Sequence, residues 1–216
     1  MPRTARRLVG GICYHLINRG NGKARVYHSD SEYSAFLHLT RRACERTPMR
    51  LLAYCLMPNH FHFVVWPHGD GDISRWMHWL LTTHVRHYHA KRGTTGRVWQ
   101  GRFKAFPIQS DDHLLTVLRY VERNALRAGL VKRAQDWRWS SLHGSGTTSH
   151  FVHPGPLARP ADWLAYVNQP LTPAEVEAVR HCIRRDAPFG GEPWVRKTAR
   201  QLGLESSLRQ RGRPRR

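Results

Sequence analysis

The sequence predicts an α+β fold, an antiparallel sheet with helices on one face. Three observations predict it. The segments run strand, helix, strand, strand, helix, strand, helix; two of the strands are separated by only a short connection; and 40% of the 216 residues are hydrophobic, enough to fill a core. An order of β-α-β-β-α-β is that of the split βαβ, ferredoxin-like arrangement.

Each element has a local reason. Residues 12–18, ICYHLIN, read as a strand, and NRGNGK after them is a turn rich in Gly and Asn. Ser29 or Ser31 then opens a helix towards Arg46, with Tyr33, Phe36, Leu37 and Leu39 as apolar positions, and Pro48 stops it. Residues 50–56 and 60–66 read as strands joined by Met57-Pro58-Asn59, a spacing that suits an antiparallel hairpin. A second helix is expected from near Asp72 to before Gly93, with Ile73, Met77, Leu80, His84 and Tyr88 along one stripe. After KRGTTGR, residues 103–108 form another short strand. Ser110 is the expected N-cap of a third helix, with Asp111 and Asp112 at its positive end, and Gly129 is its stop.

Beyond Leu142 the composition changes. Residues 144–160 are rich in Gly, Ser, Thr and Pro, whereas Thr172-Pro173-Ala174-Glu175 is a capping box that opens a helix to about Arg185. A further short helix is expected over 194–202, and the chain finishes RQRGRPRR, a tail expected to be flexible when free. The organisation read from this is a main domain over 1–143, a linker or irregular stretch over 144–171, and a basic helical extension over 172–216.

Charge narrows the partners. Lys and Arg number 35 against 15 acidic residues, a formal net charge of +20, which attracts polyanions. No apolar run approaches the roughly 18 residues that span a bilayer, and no basic amphipathic anchor or lipidation motif is evident. Nucleic acid rather than a membrane is therefore the expected partner, with DNA and RNA undivided by charge alone. The opening MPRTARRLVGG has no signal-peptide apolar stretch, so the expected location is cytoplasmic and nucleoid-associated. Cys13, Cys44, Cys55 and Cys182 form no C-x-x-C pair and read as reduced thiols rather than zinc ligands or disulfides.

Chemistry concentrates in two places. In MPNHFHFVV, His60 and His62 are two apart on a strand, so both imidazoles face one way and can share a metal ion while Phe61 packs on the other side. Such a pair also occurs on ordinary polar strand faces. In the third helix, Leu114, Leu118, Val121 and Ala125 make one apolar stripe, while Tyr120 and Asn124, four apart, share a face away from it. Periodicity alone fits an ordinary exposed tyrosine beside a surface asparagine slightly better than a working pair.

Around them, Arg3, Arg6, Arg7, Arg19, Arg97, Arg102 and Lys104 are candidate phosphate contacts, though each taken singly is more simply a solvated charge. Trp99 and Gln100, lying among them, suggest a stacking platform for bases, and Trp99 fits a core position equally. His84 falls on the apolar stripe of its helix and His78, His87 and His89 towards solvent, so no second metal site is expected. In the tail, Arg211-Gly212-Arg213-Pro214 resembles an AT-hook, with sequence-neutral affinity for DNA as the plainer reading.

Five stretches in order, YHLINRGN, LMPNHFHFVV, VWQGRF, RYVERNALRAGLV and DWRWSS, extend from Tyr14 to Ser141. Together they resemble the HUH-type single-tyrosine transposases, most closely the REP-associated tyrosine transposases of bacteria. The resemblance implies a ferredoxin-like catalytic domain over 1–143 that cleaves and rejoins single-stranded DNA through a 5′-phosphotyrosine. It implies His60 and His62 as metal ligands, Tyr120 as nucleophile and Asn124 as an amide ligand. It further implies Mg2+ or Mn2+ as cofactor, REP-type hairpin DNA as partner, and a monomer rather than a homodimer. Ala125 departs from the proline that relatives commonly carry.

The chemistry is coherent. A phenol, with a pKa of about 10, is a poor nucleophile at neutral pH without a metal or base. A divalent ion held by two imidazoles and an amide would act as a Lewis acid on phosphate oxygens. Imidazole and amide donors permit manganese, zinc or nickel, whereas magnesium prefers oxygen. The alternative is a catalytically retired nucleic-acid-binding protein of the same fold. An RRM-type RNA binder lacks its aromatic motif here, and a replication initiator or relaxase would share the histidine pair but not RYVERNALRAGLV and DWRWSS.

Overall fold

The computed structural model describes residues 7–143 and 151–209, and these described residues form four strands and eight α-helices. The order is β1 (Cys13–Arg19), α1 (Asp30–Arg46), β2 (Met49–Met57), β3 (His60–Pro67), α2 (Asp72–Arg92), β4 (Lys104–Ile108) and α3 (Asp112–Glu122). Five more helices follow: α4 (Asn124–Arg127), α5 (Trp163–Asn168), α6 (Pro173–Arg185), α7 (Glu192–Leu202) and α8 (Glu205–Leu208), which closes the described chain. The sheet order is β2-β3-β1-β4 with every pairing antiparallel, the topology of the split βαβ arrangement.

Side-chain alternation sorts the sheet into two apolar layers. Tyr14, Leu16, Phe61, Phe63 and Val65 face α1 and α2, where they pack on Phe36, Leu39, Trp76 and Leu80. Cys13, Ala53, Cys55, Val64, Phe106 and Ile108 face the opposite way, against Leu114, Val117, Leu118 and Val121 of α3. Each large side chain buried in this way contributes roughly 1.5–3 kcal/mol. His15, His60 and His62 fall on the α3 side of the same alternation. Thus α1 and α2 share one face as expected, and α3 covers the face that carries the histidines.

The histidine end of the hairpin is held from outside. The β2–β3 connection is the two residues Pro58 and Asn59, with Met57 paired to His60. The loop after β1 grips it: Gly20 N–H donates to the Asn59 carbonyl at 2.7 Å and Val26 N–H to the Pro58 carbonyl at 2.8 Å. Gly20 is required there because a Cβ would stand 2.2 Å from the Ala24 carbonyl oxygen.

Three expectations are corrected. The N-cap of α3 is Asp111, not Ser110: its carboxylate accepts from the His113 N–H at 2.9 Å, while Ser110 Oγ lies 3.7 Å from Cys13 Sγ. The third helix does not run unbroken, because Arg123, with ψ near −3°, separates α3 from the single turn of α4. The stretch 144–171 is not only a linker. It contains α5, whose Trp163 and Val167 are buried in the same layer as α3 and as Val179 of α6. The capping box of α6 forms as expected, with Thr172 Oγ1 accepting from Glu175 N–H and the Glu175 carboxylate accepting from Thr172 N–H.

Candidate active site

Three groups on two elements meet on the α3 side of the sheet. His60 and His62 project from β3 with ring centroids 5.0 Å apart. The Tyr120 ring lies edge-on to His62, with centroids 5.9 Å apart at 84°. The helix that carries Tyr120 is fastened on its other sides. Arg119 donates to the carbonyls of Gln169 and Pro170, each at 3.0 Å, and Glu122 accepts from Ser141 Oγ at 2.9 Å and Trp163 Nε1 at 2.7 Å. With Arg119 and Glu122 anchored and the apolar stripe on the sheet, Tyr120 is left aimed at the histidine end of β3.

Tyr120 and Asn124 are only 3% and 1% exposed, which corrects the expectation of a solvent-facing pair. The reason is tertiary: α3 is covered by the sheet on one side and by α5 and α6 beyond it, so positions outside its apolar stripe are enclosed as well.

Imidazole nitrogens are committed in a way that suits a ligand site. His60 Nδ1 is bonded to Asn59 Oδ1 at 2.7 Å, and His62 Nδ1 to His15 Nε2 at 2.8 Å. In both rings the far nitrogen, Nε2, is the one left for a ligand. Burial, with the charges of Arg19 and Arg127, pushes His60 down to about 4. Burial likewise holds His62 well below its ordinary value, aided by its histidine and arginine neighbours, so both rings are neutral near pH 7 and keep a lone pair.

Among the described residues no three His, Cys, Asp or Glu side chains cluster as a metal site, so any third protein donor beside the two histidines would be of another kind. Asn124 has the chemistry of such a donor. Its Oδ1 takes one hydrogen bond, from Arg127 Nη2 at 3.1 Å, which leaves a second lone pair, and its Nδ2 is buried with no partner. Two imidazole nitrogens and an amide oxygen fit a divalent transition ion such as Mn2+.

Arg127 is the site residue that reading the sequence missed. Its guanidinium carbon stands 5.1 Å from the Tyr120 ring centroid, one N–H bonds Asn124, and the residue is exposed. Its place in RNALR, three residues after Asn124, was the available signal. His15, fully buried behind His62, was missed likewise.

The remaining basic expectations divide. Arg19 pairs with His60 across β1 and β3, and its carbonyl accepts from the exposed Gln100 at 2.8 Å, so the Arg97–Arg102 stretch, numbered 97–102, runs beside the histidine end of the sheet. Arg97 and Arg102 are exposed there. Trp99 is corrected: at 6% exposure it packs among Phe61, Phe36 and His84 and offers no face to a base. Lys104 is corrected too, because its Nζ donates to the carbonyls of Ile183 and Arg184 and so caps the end of α6. Arg7 is exposed and reaches the Gln201 carbonyl at 3.4 Å. Arg3, Arg6, Arg211 and Arg213 lie outside the described residues.

The topology is an antiparallel α+β fold whose α3 face brings paired strand histidines against a helical tyrosine. The chain belongs to the family of IS200-like transposases, whose model matches residues 9–124. It is similar to a REP-associated tyrosine transposase of Escherichia coli, 24% identical over 137 residues, covering 62% of this chain and 78% of that one. A Haemophilus influenzae protein provisionally named a REP-associated tyrosine transposase is 26% identical over 113 residues, 48% of this chain. That match spans 64% of the Haemophilus protein's own length, less than two thirds. Among solved structures, that of a REP-associated tyrosine transposase bound to a REP hairpin shares the fold, with a TM-score of 0.54 and 23% identity over 66% of this chain and 84% of that one. No described helix is long and apolar enough to cross a membrane.

Proposed function

We propose that this protein cleaves and rejoins single-stranded DNA at hairpins of the REP type, through a phosphotyrosine formed on Tyr120 and with the help of a divalent metal, Mn2+ or Mg2+. The observation that carries the reading is the edge-on meeting of Tyr120 with His62, beside His60, with the exposed Arg127 against the Tyr120 ring. The hairpin-bound relative supports the class of substrate.

In this reading His60, His62 and Asn124 would hold the ion, which supplies Lewis-acid polarisation of the scissile phosphate. Arg127 and Arg19 bring positive charge to the non-bridging oxygens as negative charge builds there. The Tyr120 oxygen attacks phosphorus and loses its proton; the bond from phosphorus to the 3′ oxygen breaks, and that oxygen takes up a proton. The DNA segment downstream of the break stays on tyrosine, held through its 5′ phosphate. A second 3′-hydroxyl reverses the exchange, so one phosphodiester is made for each one broken and no nucleotide hydrolysis is needed.

The test is incubation with single-stranded hairpin oligonucleotides, with and without Mn2+ or Mg2+, followed by a denaturing gel. A metal-dependent protein–DNA band is expected from the wild type and none from Tyr120→Phe, with hairpin affinity kept within about twofold, roughly 0.4 kcal/mol. A band that persists in Tyr120→Phe removes Tyr120 from its role. The near-complete burial of Tyr120 favours, as a second reading, a nucleic-acid binder that has lost cleavage; absence of any band from the wild type, with tight hairpin binding, would select it.

A further inference from the structure

We propose that His15 is a positioning residue that fixes which nitrogen of His62 faces the metal. The inference rests on the metal-binding reading of the site and adds a residue to it. His15 sits on the strand next to β3, is 0% exposed, and is bonded through Nε2 to His62 Nδ1 at 2.8 Å, with Phe106 packed on it at 4.9 Å between centroids.

A single proton lies between the two rings. If His62 carries it on Nδ1, the His62 Nε2 lone pair is free to bind a cation and His15 accepts. If His15 carries it on Nε2, His62 keeps its own proton on Nε2 and cannot ligate. Neutral imidazole has one proton, so only the first arrangement is ligand-competent. In that arrangement the second proton of the pair is on His15 Nδ1, and this atom is buried with no hydrogen-bond partner.

An apolar side chain against Phe106 would avoid that orphaned donor. A histidine here leaves one buried nitrogen unpaired, while its other nitrogen is bonded to His62. Partners behind a metal-bound imidazole commonly orient the ring and select its tautomer, and losing one weakens metal affinity about 10- to 100-fold. His60 gets the same service from its neighbour Asn59, which accepts from Nδ1 at 2.7 Å if the proton is there. The two ligands are thus set by different partners, one adjacent in the chain and one across the sheet.

The experiment needs no DNA. Mn2+ affinity is measured by titration calorimetry on wild type, His15→Leu and His15→Gln, and the His62 tautomer is read from long-range 15N–1H spectra of the metal-free wild type. Expected are a His62 proton on Nδ1, a 10- to 100-fold loss of Mn2+ affinity in His15→Leu, and substantial recovery in His15→Gln, which restores an acceptor. A His62 proton on Nε2, or equal Mn2+ affinity in wild type and His15→Leu, overturns the positioning role alone. Failure of the wild type to bind Mn2+ overturns the metal reading and this role with it. The tautomer is read on the wild type, so a misfolded Leu variant does not remove the test.

Discussion

Removing the Glu122 carboxylate should loosen the helix that presents Tyr120. Glu122 is 2% exposed and accepts from Trp163 Nε1 at 2.7 Å and Ser141 Oγ at 2.9 Å, with Arg159 Nη2 at 3.4 Å. Glu122→Ala leaves the buried Trp163 N–H without an acceptor, at about 1–3 kcal/mol, and strands Arg159 beside an emptied site. Removing one partner of a buried ion pair costs about 3–5 kcal/mol, and the two effects overlap rather than add. Because Arg159 is only partly buried and keeps its bond to the Leu52 carbonyl at 2.7 Å, we expect a loss of at most about 3–5 kcal/mol, against the 5–15 kcal/mol typical of a domain. Glu122→Gln keeps the volume and one acceptor and should lose about 1–3 kcal/mol.

Urea unfolding of the three proteins at pH 7 measures the series. Its pH dependence offers a second reading of the same group. Burial pushes the Glu122 carboxyl up against the opposing pull of Arg159, Trp163 and Ser141. The folded state therefore holds this proton more tightly than the unfolded chain does. The group favours folding below about pH 4.3, and that contribution fades as pH rises through the higher folded value. Glu122→Gln should lack the trend. An Ala variant within about 0.5 kcal/mol of wild type would refute the reasoning, since ordinary surface substitutions do as much.

Other perturbations probe the site and its frame. Arg127→Ala should slow single-turnover adduct formation about 100-fold, the usual effect of one lost donor to a transition-state oxygen, while Arg127→Lys recovers part of it; an unchanged rate in Ala would exclude the arginine from the reaction. Glu32 ties α2 to α1 through Arg92 at 2.7 Å and Lys91 at 3.0 Å. Burial raises its carboxyl, but the bonds from Arg92, the His28 N–H and Lys91 together outweigh that and hold it at about 2. A depressed folded pKa stabilises above the unfolded value and is lost on acidification towards 2, so Glu32→Gln should cost up to about 3 kcal/mol at pH 7 and progressively less from pH 4 down. A gap that stays constant from pH 7 to 3 would contradict it. Finally, Arg102→Ala should lower the salt slope of hairpin binding by about one, whereas Lys104→Met should leave it unchanged and lower thermal stability instead.

What the sequence makes legible here follows the range of each physical signal. The alternation in HFHFVV places His60 and His62 on one side and Phe61 on the other from local geometry alone, and the four strands appear within a residue or two of their expected bounds. Tyr120 and Asn124 could be placed on one helix face, yet their burial depends on α5, which lies in a stretch whose Gly- and Ser-rich start hides the Trp163 that seals α3. Lys104 looks like any surface lysine until α6, nearly eighty residues on, brings carbonyls to it (Ile183 is 79 positions away). His15 and Arg127 are likewise invisible as partners until β1 meets β3 and α4 turns back over Tyr120. Composition reports charge, but not which cations are already spent on the fold.

The grip of the 20–27 loop on Pro58 and Asn59 has a bearing on how such a protein can change. A strand offers its two sides in strict alternation, so sliding β3 by one residue would turn both imidazoles into the aromatic layer beneath and put Phe61 where the reaction would be. The clasped hairpin leaves no slack for that slide. Divergence can lengthen other connections or reshape the C-terminal helices, but a single insertion at this bend would exchange the histidine face for an aromatic one.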